Sequence, residues 1–211
     1  MKLRLFILSF LLICVGNLNV VSQEKLSDSE QKTFKQKVQK TAQSTKTIQS
    51  DFTQTKELSI LENAIVSEGH LTFKAPNLVK WEYTKPYKNI AIFKDDKLFV
   101  NNEDKKNEMD LSSNRMFRSL NSLIVNSIKG DMFDDSQFSI SYFKTGRDYL
   151  VKFIPKDKRM KKFIVSFELT FDKETTQVNE VKLIEPNDDY TLIVFNNKQL
   201  NGTVSDFFFK I

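Results

Sequence analysis

Between Ser67 and Pro86 the chain reads as two strands, each with one apolar and one polar face. Leu71 and Phe73 alternate with His70, Thr72 and Lys74. After Ala75-Pro76-Asn77, Val79, Trp81 and Tyr83 alternate with Lys80, Glu82 and Thr84. A period of two sends alternate side chains to opposite faces, so this stretch predicts an antiparallel pair with one face in water and one covered. The covered face is wide and aromatic, and it holds the single Trp of the protein. What lies against that face decides what the chain does.

The same pattern continues on both sides. Asp51-Phe52-Thr53-Gln54-Thr55 reads as a first strand, and Asn89–Phe93 with Leu98–Asn101 as a hairpin turning at Lys94–Lys97. Glu103–Asn107 reads as a polar turn. Phe138–Tyr142, Tyr149–Ile154, Phe163–Phe171, Val178–Ile184, Tyr190–Asn196 and Phe207–Ile211 complete the strands. Two helices are expected. Ser27-Asp28-Ser29-Glu30 is a capping box, followed by Phe34, Val38, Thr41, Thr45 and Ile48 at helical spacing. Met116, Phe117, Leu120, Leu123, Ile124 and Ile128 repeat at three and four, with Gly130 as C-cap. The sum is about ten strands in meander order with one helix before them and one interrupting them. A sheet this long curls, and its interior is either filled by side chains or left able to hold a ligand.

Composition narrows the class. Lys2 and Arg4 precede a nearly unbroken apolar run, Leu5–Val15, too short to span a bilayer. This is an export signal, with cleavage expected before Gln23, leaving residues 23–211 as a single domain. Cys14 could instead be a lipidation site, but Ile13 is larger than the small residue such a site needs before its Cys. Cleavage removes the only Cys, so the mature chain has no disulfide, thiolate nucleophile or Cys-based metal site. It also removes Lys2 and Arg4, which lowers the formal charge from +5 to +3, no argument for nucleic acid. Nineteen Phe against five Gly and four Pro fit long strands with few breakers and supply more aromatic surface than one sheet needs for its cover. The plainer reading is a Phe-rich core in an organism with AT-rich codon usage. A cavity lined with rings is the sharper reading.

Catalytic signatures are missing. His70, the only histidine, alternates onto the polar face with no partner indicated, and reads as a solvated imidazole. There is no Gly-x-Ser-x-Gly elbow, phosphate-cradling loop or nucleotide fingerprint. Asp95-Asp96, Asp134-Asp135 and Asp188-Asp189 fall at turns, where acids are ordinary. The basic run Lys156–Lys162 lacks interleaved aromatics and reads as a solvated turn, with docking to an acidic partner or anionic lipid as the alternative. No active site, metal site or cofactor is expected.

The order Gly69, Leu71-x-Phe73, Pro76-Asn77, Val79-x-Trp81-x-Tyr83, Pro86 resembles the LolA family of periplasmic lipoprotein carriers. Phe52-x-Gln54 after the first helix, and Asp189-x-Thr191-x-Ile193-x-Phe195-Asn196 followed by Phe207, are similar to further elements of that family. The resemblance implies a mainly β protein: an incomplete antiparallel β-barrel with an α-helical lid over a hydrophobic cavity. It implies a carrier that binds lipoprotein acyl chains without covalent chemistry and moves them from inner to outer membrane. The expected partners are acylated lipoproteins, an inner-membrane Lol-type ABC exporter and an outer-membrane receptor or the membrane itself; the carrier itself is expected to be a monomer. From the sheet, Leu71, Phe73, Val79, Trp81, Tyr83, Ile92 and Phe99 are the candidate lipid-binding residues. From the interrupting helix they are Met116, Phe117, Leu120, Leu123, Ile124 and Ile128, as a lid or as ordinary core. Better-known members often carry an Arg directly before the motif Pro, linked to onward transfer, and here that residue is Ala75. A carrier or sensor of another amphiphile, a periplasmic lipid-acting enzyme and a structural surface protein are the competing readings. The missing nucleophile–base pair counts against the enzyme, and the interrupting helix against the surface protein.

Overall fold

The strands form one open sheet. In the computed structural model, which describes residues 23–94, 97–102, 105–110 and 131–210, a short strand β1 (Glu24–Lys25) and one helix α1 (Asp28–Ser44) come first. A first meander follows: β2 (Thr47–Glu57), β3 (Ile65–Lys74), β4 (Leu78–Lys85), β5 (Asn89–Lys94), β6 (Lys97–Asn102) and β7 (Lys105–Asp110). The second is β8 (Phe138–Thr145), β9 (Asp148–Pro155), β10 (Ser166–Asp172), β11 (Val178–Ile184) and β12 (Tyr190–Leu200). Their order in the sheet is β1-β8-β9-β10-β11-β12-β2-β3-β4-β5-β6-β7, antiparallel throughout. The ends, β1 and β7, do not pair with each other, so the barrel stays incomplete. Among the described residues no helix is long and apolar enough to cross a membrane.

The register follows the alternation. Leu71 lies opposite Trp81 and Phe73 opposite Val79, all on one face. That face continues through Phe52 and Phe195, which pair across β2 and β12, to Leu169 and Phe167 on β10. Phe153 on β9 and Trp81 on β4 line a common cavity although five strands lie between them, so the sheet is strongly curled around this inner face.

Several elements differ from expectation. Thr45 is the C-cap of α1, its amide donating to the Ala42 carbonyl, and Ile48 belongs to β2. The β-branched residues Thr45, Thr47 and Ile48 suit a strand better than a further helical turn. Lys105–Asp110 is a strand, not a turn: it is an edge strand, and a polar sequence there needs no second partner. The run from Phe163 enters its strand only at Ser166, after a 3-10 turn at Met160–Lys162, so Phe163 and Val165 are exposed while Phe167, Leu169 and Phe171 are buried. Asp157 organises that basic turn by accepting from the Arg159 and Met160 amides. The C-terminal Phe run is a 3-10 turn, Asp206–Phe209, rather than a strand. The helix expected at 116–128 and the export signal lie outside the described residues.

Helix α1 lies against the inner face of the second meander. Phe34 makes edge-to-face contacts with Tyr142, Tyr149 and Phe171, and Val38 is buried beside it. Its N-terminus is fixed twice by one carboxylate: Glu30 accepts from the Ser27 amide at 2.9 Å and pairs with Lys144 of β8 at 2.7 Å. The Lys144 bond first, then the Ser27 bonds, lower its pKa from 4.5 to about 2. A carboxyl with a depressed folded pKa stabilises fully above its unfolded value, and that contribution is lost as pH falls through the folded value. Glu30→Gln is therefore expected to lower the melting temperature at neutral pH. Melting curves of the two proteins by circular dichroism should converge as pH falls from 4.5 towards 2. Parallel curves over that range would show that Glu30 does not hold the helix.

Candidate functional site

The core is split. One cluster joins α1 to the second meander through Phe34, Val38, Phe153, Phe167, Leu169 and Phe171. The other gathers Phe52, Leu71, Phe73, Val79 and Trp81 on the first meander. Between them is a cavity of about 230 Å³, walled by members of both clusters and floored by Ile193 and Phe195 of the bridging strand β12. Its lining is predominantly apolar and aromatic. Polar lining is concentrated where the C-terminal end of α1 meets the β10–β11 turn: Thr41, Thr45, Thr176, Gln177 and, from β12, Lys198. There the Thr41 and Thr176 hydroxyls are 2.7 Å apart.

The sequence-derived candidates separate into five groups. Leu71 and Trp81 line the cavity. Phe73 and Val79 share their face but are buried within the second cluster against Ile48 and Phe93. Tyr83 stands edge-on to Phe52, donates to Gln54 Oε1 at 3.0 Å, and is pushed up in pKa by burial. Ile92 and Phe99 are not on this face. Register aligns Ile92 with Lys80 and Phe99, on the outer side of the sheet, where Val204 and Phe209 of the C-terminal segment cover them. Lys74 ties that segment down by donating to the Val204 carbonyl at 2.9 Å and pairing with Asp206. Met116, Phe117, Leu120, Leu123, Ile124 and Ile128 lie outside the described residues.

Other lining residues come from elements that no local pattern brings together. Val38 and Ala42 of α1, Phe153 of β9 and Val181 of β11 reach the cavity because β12 pairs with β2. Ala75, before the motif Pro, packs against the Phe52–Trp81 cluster from the inner side, and does not lie clear of the apolar face as a turn residue would. His70 has a partner after all: its Nδ1 is 2.7 Å from Asp51 Oδ1 across β2–β3. Asp51 also accepts from Asn197 Nδ2 at 2.7 Å, and the Asn197 bond, then the His70 bond, hold its carboxyl below the usual range. No nucleophile joins this exposed group, and among the described residues no cluster of His, Cys, Asp or Glu is arranged for a metal.

The family sequence model described as outer membrane lipoprotein carrier protein LolA matches residues 43–211. The chain belongs to the LolA family. No curated protein sequence matches it. Two solved structures share the fold at low identity. A DUF1329 family protein from Desulfovibrio piger superposes with a TM-score of 0.50 at 11% identity, covering 85% of this chain and 96% of that one. The MucA/MucB complex structure from Pseudomonas aeruginosa gives 0.50 at 10% identity, covering 86% of this chain and 61% of that one. A LolA superfamily protein from Nitrosomonas europaea gives 0.46 at 8% identity, covering 85% and 97%.

The LolA motif Gly has a local reason. A Cβ on Gly69 would stand 2.1 Å from the Glu82 carbonyl oxygen and 2.7 Å from Phe52 Cζ. The missing side chain lets the Phe52 ring lie over the strand, and Trp81 packs on that ring with centroids 4.9 Å apart. Overpacking at such a site costs roughly 1–3 kcal/mol. Gly69→Ala should lower the urea midpoint accordingly and shift Trp81 emission, because the ring supporting the indole must move. An unchanged midpoint and spectrum would mean the β3–β4 register is different.

Proposed function

We propose that this LolA-family protein is a carrier that binds the acyl chains of lipoproteins in the cavity between the two core clusters and moves them from the inner to the outer membrane. The observation that carries this reading is an apolar gap of about 230 Å³ between two otherwise closely packed halves, lined by Trp81, Phe153, Phe167, Phe171 and Phe195. Each methylene buried there is worth about 0.8 kcal/mol, so affinity grows with the length of chain the cavity encloses. Binding needs no covalent step, consistent with a family of carriers and with a site built from hydrocarbon and rings.

In this reading the protein acts in the periplasm as a monomer, exported by a cleaved segment at residues 1–22. It receives cargo from a Lol-type ABC exporter and delivers it to an outer-membrane receptor or to the membrane itself. A second reading, carriage of another amphiphile, is favoured by the size of the cavity. Small-molecule pockets run at about 300–1,000 Å³, and a gap below that range accommodates part of one chain more readily than three.

Native mass spectrometry of protein taken from its own periplasm distinguishes these readings. A bound triacylated protein supports lipoprotein carriage, a bound small lipid supports the second reading, and a ligand-free protein under conditions that retain lipid overturns both. Ala42 offers a matching variant, because it faces the cavity from α1 and is only partly buried. Ala42→Phe should fill the gap with a ring, leaving the melting temperature unchanged or raised. Excluding two methylenes from the cavity weakens binding of a fluorescent acyl probe roughly tenfold. Undiminished probe binding by the folded variant would place the acyl site elsewhere.

A further inference from the structure

One cation belongs to the cavity and is not explained by packing. Lys198 lines it from β12, half-buried, at the polar end beside Thr176, Gln177 and Val178. Its Nζ donates to the Val178 carbonyl at 3.0 Å and to Asn179 Oδ1, two neutral acceptors. An ammonium has three N–H donors, so one remains uncommitted among the described residues. No described carboxylate pairs with it. Asp172 is occupied by the Thr175 and Glu174 amides, and Asp148 accepts from Asn179 Nδ2. Burial pushes the ammonium's pKa down, with Asp172 and then Asp148 acting against that. Desolvating a charge without an ionic partner is costly.

The backbone is built to aim this side chain. The β2–β12 register slips between Asn196 and Gln199, so β12 carries one extra residue there. Asn197 sits in the left-handed region at φ 53. The bulge is pinned from both faces. On the outer face Asn197 donates to Asp51, which is braced by His70. On the inner face the Ser50 hydroxyl donates to the Asn196 carbonyl at 2.7 Å. Bulges re-aim side chains next to functional sites. This one turns Asn197 outward and delivers Lys198 to the cavity.

We propose that Lys198 is the head-group recognition residue of the cavity, taking an oxyanion, either carboxylate or phosphate, at the head of an acyl-chain ligand. Asn197 and Asp51 are positioning residues that act through the bulge. The apolar wall takes the chain, and the free N–H of the ammonium takes the head at the polar end. A charge-assisted bond at such a site is directional and about twice as strong as a neutral one. This inference rests on the reading that the cavity binds acyl chains and goes beyond it by naming the head-group chemistry.

The test uses the mature chain and three fluorescent probes with the same acyl chain: a fatty acid, its methyl ester and a lysophosphatidate. Wild type is expected to bind one or both oxyanion probes roughly tenfold or more tightly than the ester. The probe preferred identifies carboxylate or phosphate as the head. Lys198→Met, which keeps the hydrocarbon stem, should abolish that preference, so that the oxyanion probes bind no more tightly than the ester. Asn197→Gly keeps the left-handed backbone but removes the bond to Asp51. It should reduce the preference without affecting the ester, and it carries the test if Lys198→Met fails to fold. Equal binding of all three probes by wild type, or a preference that survives in the folded variants, overturns the role of Lys198 and leaves acyl binding intact. Failure of every probe to bind wild type overturns the acyl-binding reading and this inference together.

Discussion

The pairing of β12 with β2 is the constraint on which the rest of the molecule depends. Its ladder runs from Tyr190 opposite Glu57 to Leu200 opposite Ile48, joining segments more than a hundred residues apart in the chain. Without it there are two separate meanders, each with an exposed apolar face. With it, Phe195 meets Phe52, the sheet becomes continuous, and the two inner faces turn towards each other across a gap. The Asn197 bulge lies on this same seam, so the one interaction that closes the fold also sets the polar end of the cavity. Non-local pairings of this kind must overcome loop-closure entropy before they gain contacts, which makes the β12–β2 seam the expected late step in folding.

Much of the first meander was legible because its residues sort cleanly by polarity. Over His70–Lys74 of β3 and Lys80–Thr84 of β4 every second residue is polar, which fixes one register and puts Leu71 and Trp81 on the inner face. In β5 the rule lost its grip. Ile90, Ala91, Ile92 and Phe93 are all apolar, because both faces of that strand are covered: the inner by the Trp81 cluster and the outer by Val204 and Phe209. A strand with no polar side offers no register, and the larger residues Ile92 and Phe99 were assigned inward when the smaller Ala91 faces that way. The C-terminal Phe run misled for a related reason. Three consecutive rings have no period, and they serve as a cover for the sheet's outer face with Phe209 buried and Phe207 exposed.

The far wall of the cavity was not readable from local pattern at all. Phe167, Leu169 and Phe171 announce an apolar face, but nothing near them in the chain says that it looks across at Trp81. Lys198 is the clearest case. In sequence it follows the Phe195-Asn196-Asn197 strand ending and looks like a solvated lysine. Only the slip in register, anchored by Asp51 from another strand, turns it inward. His70 was read as isolated for the same reason, its partner Asp51 being a neighbour across the sheet and not along the chain. The signal available in advance was Asn196-Asn197, since Asn tolerates the left-handed conformation a bulge uses.

The gap itself has an energetic meaning. Residual cavities in packed cores cost about 24 cal/mol per Å³, which puts an upper bound on the order of 5 kcal/mol on a void of this size. Total stabilities of domains are about 5–15 kcal/mol, so a void near that bound is a large share. Larger residues at Ala42 or Val181 would remove it without disturbing the sheet, because both project into free space from partly buried positions. The chain instead surrounds the gap with rigid rings on three sides and places a half-buried ammonium at one end. A protein under pressure for stability alone has no use for either feature. An acyl chain filling the gap would recover the lost contacts, and an oxyanion head would satisfy the remaining donor of Lys198. One amphiphilic ligand would meet both features at once.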